Sequence, residues 1–377
     1  MVAGEASGDV LASLLMRGMR QRWPQFRAHG IGGPRMAEQG FDAWWPHSKL
    51  SVHGFSWELL RRYREIVGIR KQLRERLLAS APTAFIGVDA PDFNLDLEAS
   101  LRAAGVPTIH FVSPSIWAWR AERVEKIRRS ADHVLCIFPF EPELLARHGI
   151  SASYVGHPLA SVIPMEPDQG AARQALGFGP DDPVVALLPG SRPAEIRHLA
   201  LRFLQAAALM LRQRPDLRFV LPAAPGLRPV LDALAAQAGL GHRLTLLDGQ
   251  SHLALAACDV TLIASGTATL EAALFKCPMV IAYHMGRLSW ELMRRKRLQP
   301  WVGLPNILCG DMLVPELLQD QASPVALAQC TLQWLEDCLR GSNNVRALRQ
   351  RFIQLHEELR RDTATIATHA IEEVIRR

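Results

Sequence analysis

Short apolar runs recur along this chain, each followed by a turn-forming cluster and then by a helical pattern. That alternation limits the fold more than any other feature. Residues 84–88, 108–112, 133–137 and 153–155 carry it in the first half, and 184–188, 218–221, 244–247, 260–263 and 279–283 in the second. Strands alternating with helices need crossover connections, which make the sheets parallel, and ligands of such sheets bind beyond the carboxyl ends of the strands. A chain of 377 residues is too long for one ordinary domain and implies two of roughly 150 to 200 residues. Pro164 and Pro167 mark the linker. The expected division is 1–163, 164–340 and a C-terminal helical segment, 341–377.

Composition excludes more than it selects. A net charge of +6 and a pI of about 9.2 permit a nucleic acid, an anionic membrane or a phosphorylated substrate. The basic residues fall on amphipathic helices without interleaved stacking aromatics, which argues against nucleic acid. Six scattered cysteines form no Cys-x-x-Cys pair, so buried, reduced thiols in a cytoplasmic protein are expected. No apolar run reaches the ~18 residues of a membrane span. Gly30, Gly32 and Gly33 resemble a dinucleotide fingerprint, but Arg35 stands where the last glycine belongs.

Three strand ends carry chemistry. The run 260–263 opens into Ala264-Ser265-Gly266, and Thr267 or Thr269 starts a helix. Its exposed N-terminus suits a phosphate, and Glu271, one turn in, can reach a sugar hydroxyl bound at the turn. On this stretch alone the plainer reading, that Glu271 complements the helix dipole, is the better one. The run 184–188 opens into Pro189-Gly190-Ser191-Arg192, where Gly190 admits a ligand close to the backbone, Ser191 donates and Arg192 supplies a permanent charge for a diphosphate oxygen. Asp89 ends the run 84–88; by itself it reads as a turn or capping aspartate. Asp96 and Glu98 resemble an acidic metal pair and are more simply the solvated face of a helix.

At the N-terminus, residues 4–9 (GEASGD) form a Gly-rich turn into a helix, yet only Met1 to Ala3 precede it. A strand usually has five or six residues, so either this strand is truncated or the recorded start is late. Residues 58–80 read as a long helix with Ile66, Ile69 and Leu73 on an apolar stripe and Arg70, Lys71 and Arg74 on a basic one. It is either a domain helix with a solvated basic face or an interfacial helix on anionic lipid.

The motifs at 4–9, 88–94 (VDAPDFN), 114–119 (PSIWAW), 155–159 (VGHPL), 188–192 (LPGSR), 265–271 (SGTATLE) and 304–306 (LPN) together resemble lipid-A-disaccharide synthases, in order and over nearly the whole chain. The resemblance implies an α/β fold of the GT-B type, with two Rossmann-like domains of mainly parallel sheets facing an interdomain cleft. It implies an inverting glycosyltransferase that joins UDP-2,3-diacylglucosamine to 2,3-diacylglucosamine 1-phosphate, giving a β(1→6) disaccharide phosphate and UDP. The alternative is a transferase or epimerase of the same fold acting on a soluble UDP-sugar.

Carried onto this sequence, the resemblance makes Asp89 the base. Gly190, Ser191, Arg192, Ser265, Gly266, Thr267, Glu271 and Asn306 become the UDP site, and Gly4, Glu5, Ser7 and Asp9 the acceptor site. No cofactor and no metal are expected, with Arg192 and the helix ends taking the metal's part. Amphiphilic substrates raise the interfacial reading of 58–80, with Ile66, Ile69, Arg70, Lys71, Leu73 and Arg74 docking on the inner membrane, helped by Trp44, Trp45, Phe55 and Trp57. A second basic candidate is 287–297. A homodimer is permitted.

Overall fold

The computed structural model describes residues 1–50, 56–118 and 121–377; Phe55 and Trp119 lie outside them. The chain divides into two compact units, 1–161 with 358–377, and 162–357. The C-terminal stretch 341–377, expected as a separate segment, is therefore shared between them.

The first unit is built on β1 (Val2–Ala3), β2 (His29–Gly32), β3 (Asp42–Pro46), β4 (Phe85–Val88), β5 (Thr108–Phe111), β6 (His133–Cys136) and β7 (Ala152–Tyr154). Its sheet runs β3-β2-β1-β4-β5-β6-β7, with every pairing parallel. The second unit holds β8 (Val184–Leu188), β9 (Arg218–Ala223), β10 (Leu244–Asp248), β11 (Val260–Ala264), β12 (Met279–Tyr283) and β13 (Glu316–Leu318). Its parallel sheet runs β10-β9-β8-β11-β12-β13. In both sheets the strand order reverses once, between β1 and β4 and between β8 and β11. At such a switch point the connections leave in opposite directions and open a crevice beyond the strand ends.

Burial follows the sequence pattern. All residues of β4, β5, β6, β8 and β11 are buried, as sheets covered on both faces require. Helix Pro193–Gln213 covers the second sheet through Leu199, Phe203, Leu204 and Met210. The last helix, Thr363–Ile375, lies on helix Ala6–Arg22, where Arg22 and Glu372 pair at 2.8 Å.

The long basic helix, Ser56–Ser80, corrects part of the docking expectation. Ile69 and Leu73 are buried, with Leu77, in the core of the first unit, and Ile66 packs against it. The apolar stripe of this helix is spent on its own domain, which leaves nothing of Leu73 for lipid. Arg70 pairs with Asp96 at the end of a hydrogen bond, while Lys71 and Arg74 are exposed. Trp44 stacks on His29 with centroids 4.3 Å apart and carries the Arg76 guanidinium 3.7 Å above its ring, so it belongs to the edge of the sheet.

Candidate active site

Each switch point gathers residues that the sequence singled out. In the first unit, Asp89 and Ala90 follow β4 in left-handed backbone, at φ 52° and 44°, and Val112 follows β5 at φ 76°. Left-handed backbone costs a non-glycine residue about 1–2 kcal/mol. Three such residues at adjoining strand ends mark the place where the fold holds strain. Asn94, in helix Pro91–Arg102, stabilises it: its side-chain amide donates to Asp89 O at 2.8 Å, to Val2 O at 3.3 Å and to Val88 O at 3.4 Å. The Asp89 amide donates to Phe111 O at 2.8 Å. The Asp89 side chain is half-exposed, and no hydrogen bond to its carboxylate is present among the described residues.

The turn after β1 lies against this ledge. A Cβ on Gly4 would come within 2.7 Å of the Ala90 Cβ. Glu5 occupies the N-cap position of helix Ala6–Arg22 without a side-chain capping bond, and Glu5 and Ser7 are exposed beside it. Asp9 is different. It is 2% exposed, and its carboxylate accepts the amides of Gly33 (2.8 Å), Arg35 (3.0 Å) and Met36 (3.1 Å). This corrects its acceptor-binding assignment, because the group is consumed in capping helix Pro34–Ala37.

In the second unit, β8 and β11 pair up to Leu188 and Ile263, which sets the turns 189–192 and 264–267 side by side. Helix Thr267–Leu274 presents its amino end there, with Gly266 and Thr267 exposed. Arg192 is 74% exposed at the start of helix Pro193–Gln213. Glu195, which the sequence reading passed over, accepts the Ser191 amide at 2.8 Å and the Arg192 amide at 3.1 Å. A carboxylate thus already holds two donors of the expected phosphate turn. The Ser265 hydroxyl donates to Val302 O at 2.8 Å. Glu271 Oε2 lies 3.2 Å from His252 Nε2, a partner with no signal in the sequence.

Asn306 is also corrected. It is fully buried, donates to Val314 O and Glu316 Oε1 at 2.9 Å each, and accepts from the amides of Leu313 (2.9 Å) and Val314 (3.1 Å). Both donors and both acceptor positions of its amide are in use, so its side chain has no hydrogen bond left over for a nucleotide. Instead it orients Glu316, whose carboxylate accepts the amides of Val302 (2.9 Å) and Gly303 (2.8 Å). That segment in turn receives the Ser265 hydroxyl.

Two further groups lie deep in the first unit. Glu98, expected on a solvated face, is fully buried, and its Oε1 is 2.7 Å from Nδ1 of the equally buried His110. Burial alone would push the His110 imidazolium down; the charge and hydrogen bond of Glu98, with the charge of Asp89, hold it above the usual histidine range. Beyond β6, burial pushes the Glu141 carboxyl up to about 8, against hydrogen bonds from Phe138 and Trp117 that favour its anion. A cavity of about 760 Å³ beside Met1, His29 and Phe85 lies at the amino ends of the strands, the wrong end of a parallel sheet for this chemistry.

Comparison with known proteins adds what geometry alone leaves open. A family model described as lipid-A-disaccharide synthetase matches residues 1–371. A lipid-A-disaccharide synthase of Albidiferax ferrireducens is 66% identical over 375 residues, covering 100% of this chain and 96% of the relative. Among solved structures, Arabidopsis thaliana UGT89C1 complexed with quercetin superposes with a TM-score of 0.65 at 13% identity, over 99% of this chain and 98% of its own. A UDP-GlcNAc 2-epimerase from Neisseria meningitidis bound to UDP-GlcNAc gives 0.61 at 12% identity, over 97% of each chain. The GT-B fold is thus shared with an epimerase, and the fold by itself does not separate transfer from epimerisation.

Proposed function

Because the chain belongs to the lipid-A-disaccharide synthase family, and is a glycosyltransferase of lipid A biosynthesis, we propose that Asp89 is the general base of its transfer reaction. The donor is UDP-2,3-diacylglucosamine and the acceptor 2,3-diacylglucosamine 1-phosphate. The acceptor 6-hydroxyl attacks the anomeric carbon from the face opposite UDP. As the new C–O bond forms, its proton passes to the Asp89 carboxylate and the bond to the diphosphate oxygen breaks, its electron pair leaving with UDP. A hydroxyl is a poor nucleophile at neutral pH, so the base is needed. The observation that carries this role is a half-exposed carboxylate, unclaimed by hydrogen bonds among the described residues, on strained backbone at a switch point.

Arg192, Gly190, Ser191 and the turn Ser265-Gly266-Thr267 would bind the diphosphate, with Glu271 on the ribose. Backbone donors of the 265–267 turn and the exposed Arg192 guanidinium would stabilise the growing charge of the leaving group in the transition state. Gly4, Glu5 and Ser7, beside the Asp89 ledge, would line the acceptor site. Activity should survive a chelator; loss restored by Mg²⁺ would overturn the metal-free reading.

The reading includes peripheral contact with the anionic inner membrane. Lys71 and Arg74 are exposed on one unit. On the other, Leu292 and Leu298 are 63% and 55% exposed beside the basic end of helix Arg287–Lys296, and Met312 is 64% exposed. Among the described residues no helix is long and apolar enough to cross a membrane. Binding to anionic but not neutral vesicles, weakened by charge reversal at Lys71 and Arg74 or at Arg294 and Arg295, supports this; indifference to lipid charge refutes it.

The deciding experiment measures UDP release and disaccharide formation with and without acceptor, on wild type and Asp89→Asn. Removal of a general base costs about 10²–10⁴-fold in rate. Near-normal turnover of Asp89→Asn would remove that residue from the role.

A further inference from the structure

Glu98 and His110 are an expensive pair to bury. Both are fully buried, and a buried charge pair is often no more stabilising than well-packed apolar residues of the same volume. The chain makes room for it. His110 lies opposite Gly87 in the β4–β5 register, and a Cβ on Gly87 would come within 2.1 Å of Glu98 Oε1 and 3.0 Å of the Asn94 Cβ. Asn94 and Glu98, one turn apart on helix Pro91–Arg102, thus reach over the sheet through a missing side chain, two residues before Asp89. The second nitrogen of His110, Nε2, makes no hydrogen bond among the described residues, nor does Glu98 Oε2. The ionisable groups acting on the imidazole are Glu98, from the helix, and Asp89, from the end of β4.

We propose that Asn94 and the buried Glu98–His110 pair are a positioning platform for Asp89, Asn94 fixing its backbone carbonyl and the pair tying helix Pro91–Arg102 to β5, on which the Asp89 amide is hydrogen-bonded. The assignment rests on Asp89 being the base. Glu98 joins the helix to His110 of β5, and the next residue of that strand, Phe111, accepts the Asp89 amide on its carbonyl. Loosening the tie lets the Asp89 carboxylate leave the attack geometry, which slows the chemical step without weakening donor binding.

The test measures kcat and donor KM for acceptor-dependent UDP release, with thermal unfolding of each protein, on Glu98→Gln, His110→Gln, the double variant Glu98→Met/His110→Phe, and Asp89→Asn. Each change to the pair should lower kcat by about 10-fold or more, with donor KM held within about twofold. The apolar double variant should unfold at or above the wild-type temperature and still show the loss, a result that packing cannot produce. A double variant with wild-type kcat would reduce the pair to core packing. Losses that only track the fraction of folded protein would do the same. If Asp89→Asn turns over normally, the base assignment itself falls, and the platform has nothing to position.

Discussion

Asn306→Ala distinguishes a residue that binds the nucleotide from one that builds the loop beside it. The change strands the amides of Leu313 and Val314, the carbonyl of Val314 and one oxygen of Glu316, all within 3.1 Å of the lost side chain. At about 1 kcal/mol for each net bond, the loss is about 3 to 4 kcal/mol. For a unit of this size that corresponds to a fall of roughly 10 °C in Tm. Calorimetric scans, with UDP titrations well below the transition, give both quantities. A building role predicts the large fall in Tm, with UDP binding weakened as Glu316 loses its orientation and the 302–304 segment loosens. A variant that melts within about 2 °C of wild type yet no longer binds UDP would refute the reasoning, because a saturated, buried amide cannot be removed without cost.

Asp9→Ala should destabilise the first unit by about 2 kcal/mol by stranding three amides, with acceptor KM unchanged in the fraction that stays folded; a stable variant with raised acceptor KM would return Asp9 to the binding site. The raised carboxyl of Glu141, at about 8, stabilises the fold fully below the pKa of the unfolded side chain and loses that effect as pH rises through about 8. Wild type should therefore lose stability over that window relative to Glu141→Gln, by up to about 1.4 kcal/mol per pH unit; parallel denaturation curves from pH 5 to 9 would contradict it. Burial pushes the His157 imidazole down to about 4, so its contribution is present above the ordinary histidine value and is lost as pH falls through about 4. Acid unfolding of His157→Gln should accordingly be displaced to lower pH. Glu271→Ala should raise donor KM about 10- to 100-fold, the worth of a hydrogen bond to a charged group, whereas His252→Ala, which only frees Glu271, should change it by less than about threefold.

The sequence alone determined the two parallel sheets, because buried strands and crossover helices leave their period in the residue order, and the strand ends at the switch points are punctuated by Gly, Ser or Asp. It put Asp89 and the turns at 190–192 and 265–267 at strand ends, and Glu271 one turn into the following helix, where the structure has them, because those positions depend on neighbours in the chain. The strands Asp42–Pro46 and Glu316–Leu318 left no such mark. They are short edge strands, and an edge strand exists only by pairing with a partner far away in sequence. Only the tertiary structure decided what each polar side chain does once surrounded. Of the motif residues, Asp9 accepts three backbone amides, and Asn306 is taken up by backbone groups and the Glu316 carboxylate. Glu98, read as solvated, is buried on His110 because Gly87 leaves space across the sheet. Ile69 and Leu73, equally suited by period to lipid or to core, went to the core. Period reports which face of a helix is apolar; what covers that face is set by packing between segments distant in the chain, and so is the count of hydrogen bonds left free for a ligand.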